Sequence, residues 1–260
     1  MMYLKTEEEI ELIRESSLLV GKTLAEVAKL IEPGVNTAKL DTIAEEFIRD
    51  NGGVPGFKGL YDCPSTLLTS VNSAVVHGLP SNKPLKNGDI VSVDCGVLMN
   101  EFYGDVAYTF EVGEVSEEIK QLLAVTKECL QAGIAAATVG NRVGDIGYAV
   151  QTLAEDNGYG VVRELVGHGL GKKLHEDPQV PNYGKRGQGV KLKEGLVIAI
   201  EPMINMGKRH VKQGEDGWTI YAKDGLPSAH FEHDVVVRKG KAEVLSTHEF
   251  IEEVLRNKNK

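Results

Sequence analysis

"KNGDIVSVD" at residues 86–94 and "KEGLVIAIE" at residues 193–201 lie 107 positions apart, and each runs from Lys through Gly into alternating apolar residues and a terminal carboxylate. Alternation with a period of two, rich in β-branched residues, is the mark of a strand. One strand that occurs twice with an acid at the same end implies two halves built on one plan.

The flanking segments repeat as well. Over residues 6–31, Ile10, Ile13, Leu18, Leu24, Val27, Leu30 and Ile31 recur at near-helical spacing, behind a Thr6–Glu9 capping box and ahead of Pro33–Gly34. A second helix is expected at about 37–50, ending at "DNGG"; the other half gives helices at about 116–138 and 143–156, the latter ending at "EDNGYG". Gly34, Asp50, Asn51 and Gly52 precede Gly140, Asp156, Asn157 and Gly158 by 106 residues. Strand-like runs follow each helix pair: "STLLTSV", "DIVSVDCGV" and "FYGDVAYTF" in the first half, "GLVIAIEPMI" and "HFEHDVVV" in the second. The expected class is α+β, with a central antiparallel sheet and helices on its outer face. Halves at about 5–112 and 113–247, related by a pseudo-two-fold axis, would form one domain over 1–260, with 248–260 as a C-terminal tail.

Composition narrows the function. A chain of 260 residues that is 42% hydrophobic can bury a sizeable core. No run approaches the roughly 18 apolar residues of a membrane span, and "MMYLKTEEEIELIRESS" is acidic and amphipathic where a signal peptide is basic and then apolar. A net charge of −9 disfavours nucleic acid as a partner. Cys63, Cys95 and Cys129 are odd in number and lack CxxC spacing, which fits free thiols in the cytoplasm and disfavours a structural zinc site.

Each half carries a histidine and two acids: His77 ("VVHG"), Asp94 and Asp105, then His168 ("VGHG"), Glu201 and Glu232. Strand alternation sets Asp94 with Ser92 and Gly96, opposite Val91, Val93 and Cys95, and a hairpin through "LMNE" brings Asp105 beside Asp94. Glu201 closes the apolar run "LVIAI", where a carboxylate is costly unless paired or bound to metal; Glu232 in "AHFEHDVVV" is similar. Taken singly, each reads as a solvated strand-end acid. Four converging with one imidazole would need cations, and suit Mn, Fe or Co, or a pair of such ions, better than structural zinc. Two such ions are hydrolytic machinery. "VGHGLGKKLHE", residues 166–176, sets His168 and His175 seven apart among Gly167, Gly169 and Gly171, either as a flexible surface loop or as part of that site.

These segments resemble the methionine aminopeptidases, specifically the short bacterial-type (type I) enzymes of the pita-bread fold in peptidase family M24. The likeness runs from about residue 5 to 247 and rests on "VVHGLP" (75–80), "GDIVSVDCGV" (88–97), "GDVAYTF" (104–110), "GHGLGKKLHEDPQVPNY" (167–183), "VIAIEPMI" (197–204) and "FEHDVVV" (231–237). It implies removal of the initiator methionine when the second residue is small, with N-termini of nascent chains at the ribosome as partners. A monomer is the default expectation. It also implies two divalent ions (Co, Mn, Fe or Zn), one held by Asp105, His168, Glu201 and Glu232, the other by Asp94, Asp105 and Glu232. Glu201 would serve as general base, and His77 and His175 would contact the scissile peptide. Trp218 matches the aromatic residue bordering the methionine pocket, which Leu174, Tyr61, Cys63 and Leu68 would complete. Three departures stand out: Leu174 and Leu68 replace the Phe and Cys of many relatives, and Asp234 replaces the usual Thr.

Proline-specific aminopeptidases and dipeptidases share the five ligands but carry a further N-terminal domain, for which this chain leaves no room. Type II relatives have an insertion between the last two glutamates, here only 31 residues apart. Non-catalytic peptide-binding members have lost ligands that are all present here.

Overall fold

The computed structural model describes residues 2–258. α1 (Glu7–Leu30) starts where Thr6 Oγ1 accepts from Glu9 N–H at 3.3 Å while the Glu9 carboxylate accepts from Thr6 N–H at 3.0 Å. Its stripe Ile10, Ile13, Val20, Leu24 and Val27 is fully buried. α2 (Thr37–Asp50) is capped by Asn36 Oδ1, which accepts from Lys39 N–H at 2.9 Å. α3 (Glu117–Ala136) and α4 (Val143–Asp156) form the second pair, so the expected helices stand to within two residues at each end.

The expected tail is instead a helix, α5 (Glu249–Lys258), packed along α1 with Ile251 buried. Lys258 Nζ donates to the carbonyls of Ala28, Lys29 and Ile31 at 3.2, 3.0 and 2.9 Å, satisfying oxygens that the end of α1 leaves open. The spacing of Ile251, Val254 and Leu255 carried the signal for this helix.

The strands Ile90–Met99 and Phe102–Glu111 form the predicted hairpin, turning at Asn100 and Glu101 with φ of 52° and 67°. Its register sets Asp94 opposite Ala107 and Gly96 opposite Asp105, so the two acids are diagonal neighbours on one face. On the other face Val91, Val93 and Cys95 meet Phe110, Tyr108 and Val106 in the main core. The strand Leu67–Val71 pairs along the same sheet.

In the second half, Val197–Ile200 lies between His233–Val236 and Gly167–Gly169, and the latter pairs with Glu176–Val180. The glycine-rich run around His168 is thus partly a strand hairpin. Two expected continuous strands are interrupted: 195–204 breaks at Glu201–Pro202, and 230–237 breaks at Phe231–Glu232. Pro202 has no N–H to give a ladder. Glu232 N–H instead donates across to Ala107 O at 3.0 Å, and Thr109 Oγ1 donates to His230 O at 2.7 Å while accepting His230 N–H at 2.9 Å. These bonds stitch the two sheets along a seam at which the acids collect. Among the described residues, no helix is long and apolar enough to cross a membrane.

Candidate functional site

One ligand atom from each of Asp105, His168 and Glu232 lies within 4.8 Å of the other two, and all three residues are buried. His168 Nδ1 faces Gly169 O at 2.9 Å; a carbonyl can only accept, so Nδ1 carries the proton and Nε2 presents a lone pair. That lone pair points at Asp105 Oδ2 and Glu201 Oε1, each 3.7 Å away. Asn182 Nδ2 donates to Glu201 O at 2.9 Å, fixing the backbone at the strand break. Asp94 completes the group from the first sheet. The structure therefore brings all five predicted ligands together at the seam, lining one cleft.

The electrostatics are lopsided. Burial, then the neighbouring carboxylates, push Asp105 and Glu232 well above the usual carboxylate range. Burial raises Asp94 to about 7 and Glu201 to about 8. His168 is lowered to about 4 by burial and by His175 beside it. Asp94 Oδ1, Asp105 Oδ1 and Glu232 Oε1 are buried with no hydrogen-bond partner among the described residues. Orphaned carboxylate oxygens around an imidazole lone pair are a donor set that a divalent cation satisfies, so these residues fit a metal.

A cleft of about 1040 Å³ opens onto the cluster, lined by Asp94, Asp105, His168, Glu201 and Glu232 and by both other predicted histidines. His77 has a left-handed backbone (φ 60°), and burial lowers its imidazole to about 4. The next residue, Gly78, is pinned where an added Cβ would lie 2.3 Å from Thr69 O. His175 is more open and is lowered by burial alone. Tyr61 stacks on it with centroids 5.8 Å apart, and its 71% exposure makes it a cover at the mouth of the cleft. Cys63, Leu68 and Leu174 are buried in one apolar cluster with Trp218 packed against it.

Sequence reasoning missed Phe57 and Leu60, which join that pocket wall, and His230. His230 is 1% exposed with Nε2 3.5 Å from Glu201 Oε2, and neither ring nitrogen has a hydrogen-bond partner among the described residues. Its signal was present in "AHFEHD", two residues before Glu232.

Metallopeptidase family M24 matches residues 11–239. The chain is 49% identical over 246 residues to the methionine aminopeptidase of Clostridium perfringens, covering 95% of this chain and 99% of that protein. The crystal structure of methionine aminopeptidase from Thermotoga maritima superposes with a TM-score of 0.93 at 43% identity, covering 95% of this chain and all of that one (100%). The prolidase of Pyrococcus furiosus is more distant, with a TM-score of 0.77, 26% identity, and coverage of 94% of this chain but 65% of that one. The pita-bread architecture expected from sequence is therefore the fold observed. The chain belongs to metallopeptidase family M24 and groups there with the methionine aminopeptidases.

Proposed function

We propose that the chain removes the initiator methionine from the N-termini of new proteins whose second residue is small, as a single catalytic unit working in the cytoplasm at the ribosome. The observation that carries this reading is a buried cluster in which Asp94, Asp105 and Glu232 each keep a carboxylate oxygen without a hydrogen-bond partner among the described residues, beside the His168 lone pair, lining a cleft with an apolar side pocket. Asp105, His168, Glu201 and Glu232 would hold one divalent ion, and Asp94, Asp105 and Glu232 a second, with Asp105 and Glu232 shared. When bound, such ions supply Lewis acidity and make water a nucleophile at neutral pH.

The chain's own residues do the rest. Glu201, its backbone held by Asn182, would take a proton from water and pass it to the leaving amine. His77 and His175, both lining the cleft and both biased to the neutral form, would donate to the scissile peptide and its developing oxyanion. The wall of Cys63, Leu68, Leu174 and Trp218 receives the methionine thioether and leaves a charged side chain without a partner. Cys63, Cys95 and Cys129 are all free and buried, which suits a reducing compartment.

The test uses chelator-treated protein resupplied with Mn, Fe, Co or Zn and offered Met-Ala-Ser, Met-Lys-Ser, Leu-Ala-Ser and Ala-Pro-Ser. Metal-dependent cleavage of Met-Ala-Ser above all others is the expected result. Faster cleavage of Ala-Pro-Ser would instead assign a proline-specific aminopeptidase, and no cleavage with any metal would assign a peptide-binding member of the fold.

A further inference from the structure

Asp234 is fully buried, pairs with no Lys or Arg among the described residues, and lies beside a cluster already crowded with carboxylates. A carboxylate in such a place is costly unless something is gained by holding it there. Its backbone is locked on both sides. The N–H donates to Ser246 Oγ at 3.2 Å, the carbonyl accepts from Leu245 N–H at 2.8 Å, and the residue sits opposite Ala199 in the strand pairing. The side chain then reaches out of its own sheet. Oδ2 accepts from the backbone N–H of Asp105 at 2.8 Å and from Ser17 Oγ on α1 at 2.7 Å. One oxygen thus ties together α1, the strand bearing Asp105 and the strand following Glu232.

From this geometry we propose that Asp234 is a positioning residue for the metal site, fixing the backbone at Asp105 so that both carboxylate oxygens of that shared ligand are aimed before a metal arrives. The role rests on the metal-dependent reading of the site above. It requires an oxygen acceptor at position 234. Outer-shell partners of this kind typically govern metal affinity by about 10–100-fold.

The experiment titrates chelator-treated full-length protein with Co²⁺ by calorimetry and records the visible spectrum of the bound ion, which reports ligand geometry without reference to turnover. Asp234→Asn keeps an acceptor oxygen, and its Co²⁺ affinity should stay within about 3-fold of wild type with an unchanged spectrum. Asp234→Leu removes the acceptor at similar volume and should weaken binding by about 10–100-fold and shift the spectrum. If Asp234→Leu does not fold, Ser17→Ala removes one anchor of the same oxygen and should weaken binding by about 5-fold, the worth of one hydrogen bond. Wild-type affinity and spectrum in Asp234→Leu, or in Ser17→Ala where that variant stands in for it, would overturn the positioning role. A loss in Asp234→Asn equal to that in Asp234→Leu would also overturn it, because charge and not placement would then be the cause. Failure of the wild type to bind any Co²⁺ would overturn the metal site itself, an outcome separate from either.

Discussion

The rings of His168 and His175 meet edge to face, with centroids 4.4 Å apart and planes at 78°. They lie on one hairpin, yet their surroundings differ. His168 is buried with one nitrogen tied to Gly169 O and the other aimed at acids. His175 stands toward the cleft under Tyr61.

His175→Ala is therefore expected to keep its metal while kcat falls by roughly 10–1,000-fold, the loss of one donor to the transition state. Metal analysis beside steady-state kinetics checks this. Loss of metal from the variant would make His175 a ligand and reverse the division of labour.

Asp105→Asn and Glu232→Gln each remove a charge from the most crowded pair of acids. Both should lose bound metal and fall to background activity, because a neutral amide cannot serve two cations. Elemental analysis after gel filtration is the measurement. Wild-type metal content with normal turnover in either variant would rule out a shared-ligand site.

The metal-free protein should lose stability as pH rises to about 8. Asp94 and Glu201, raised from 3.8 and 4.5 to about 7 and about 8, hold protons in the folded state that the unfolded chain has released. Folding then takes up protons between those values, and stability falls as pH climbs through that window. His77 and His168, lowered from 6.5 to about 4, act in the opposite sense, but only below pH 6.5. Above it the acids act alone. Tm of chelator-treated protein should drop from pH 6.5 to 8.5, and saturating Mn²⁺ should flatten the slope, since metal takes the place of the protons. An unchanged slope with metal would count against cation binding at these acids.

Gly104→Ala should be destabilising although it alters no functional group. An added Cβ would sit 2.3 Å from Ser17 N and 2.6 Å from Ser16 C, so α1 must lift from the strand that carries Asp105. A loss of about 1–3 kcal/mol, several degrees in Tm, is expected. Thermal unfolding at fixed metal concentration reads it directly, and a Tm equal to wild type would show that α1 yields freely there.

Local chemistry made much of this legible in advance. The Thr6–Glu9 box, the period-two runs and the Asn100–Glu101 turn each act within a few residues, and each appears where its residues predicted. The acids that gather in the cluster were legible as candidates because carboxylates at the ends of apolar runs need a reason to be there, whereas the five-residue ligand set came from the family resemblance. What escaped depends on partners distant in sequence. The strand breaks at Glu201 and Glu232 arise at a seam where Ala107 and Thr109 supply the bonds that a continuous ladder would have used. The burial of His230 against Glu201 requires the same seam, and α5 is a short amphipathic run that needs α1 to lie on.

That seam also fixes how the molecule comes apart. Asp94 and Asp105 precede the turn at Val112–Gly113, whereas His168, Glu201 and Glu232 follow it. A chain severed there would yield two polypeptides, each holding an incomplete donor set and a sheet edge shaped for the other. Divalent cation would then act as an adhesive between fragments, adding to the hydrogen bonds of the seam, and recovery of the whole would depend on metal and on fragment concentration together.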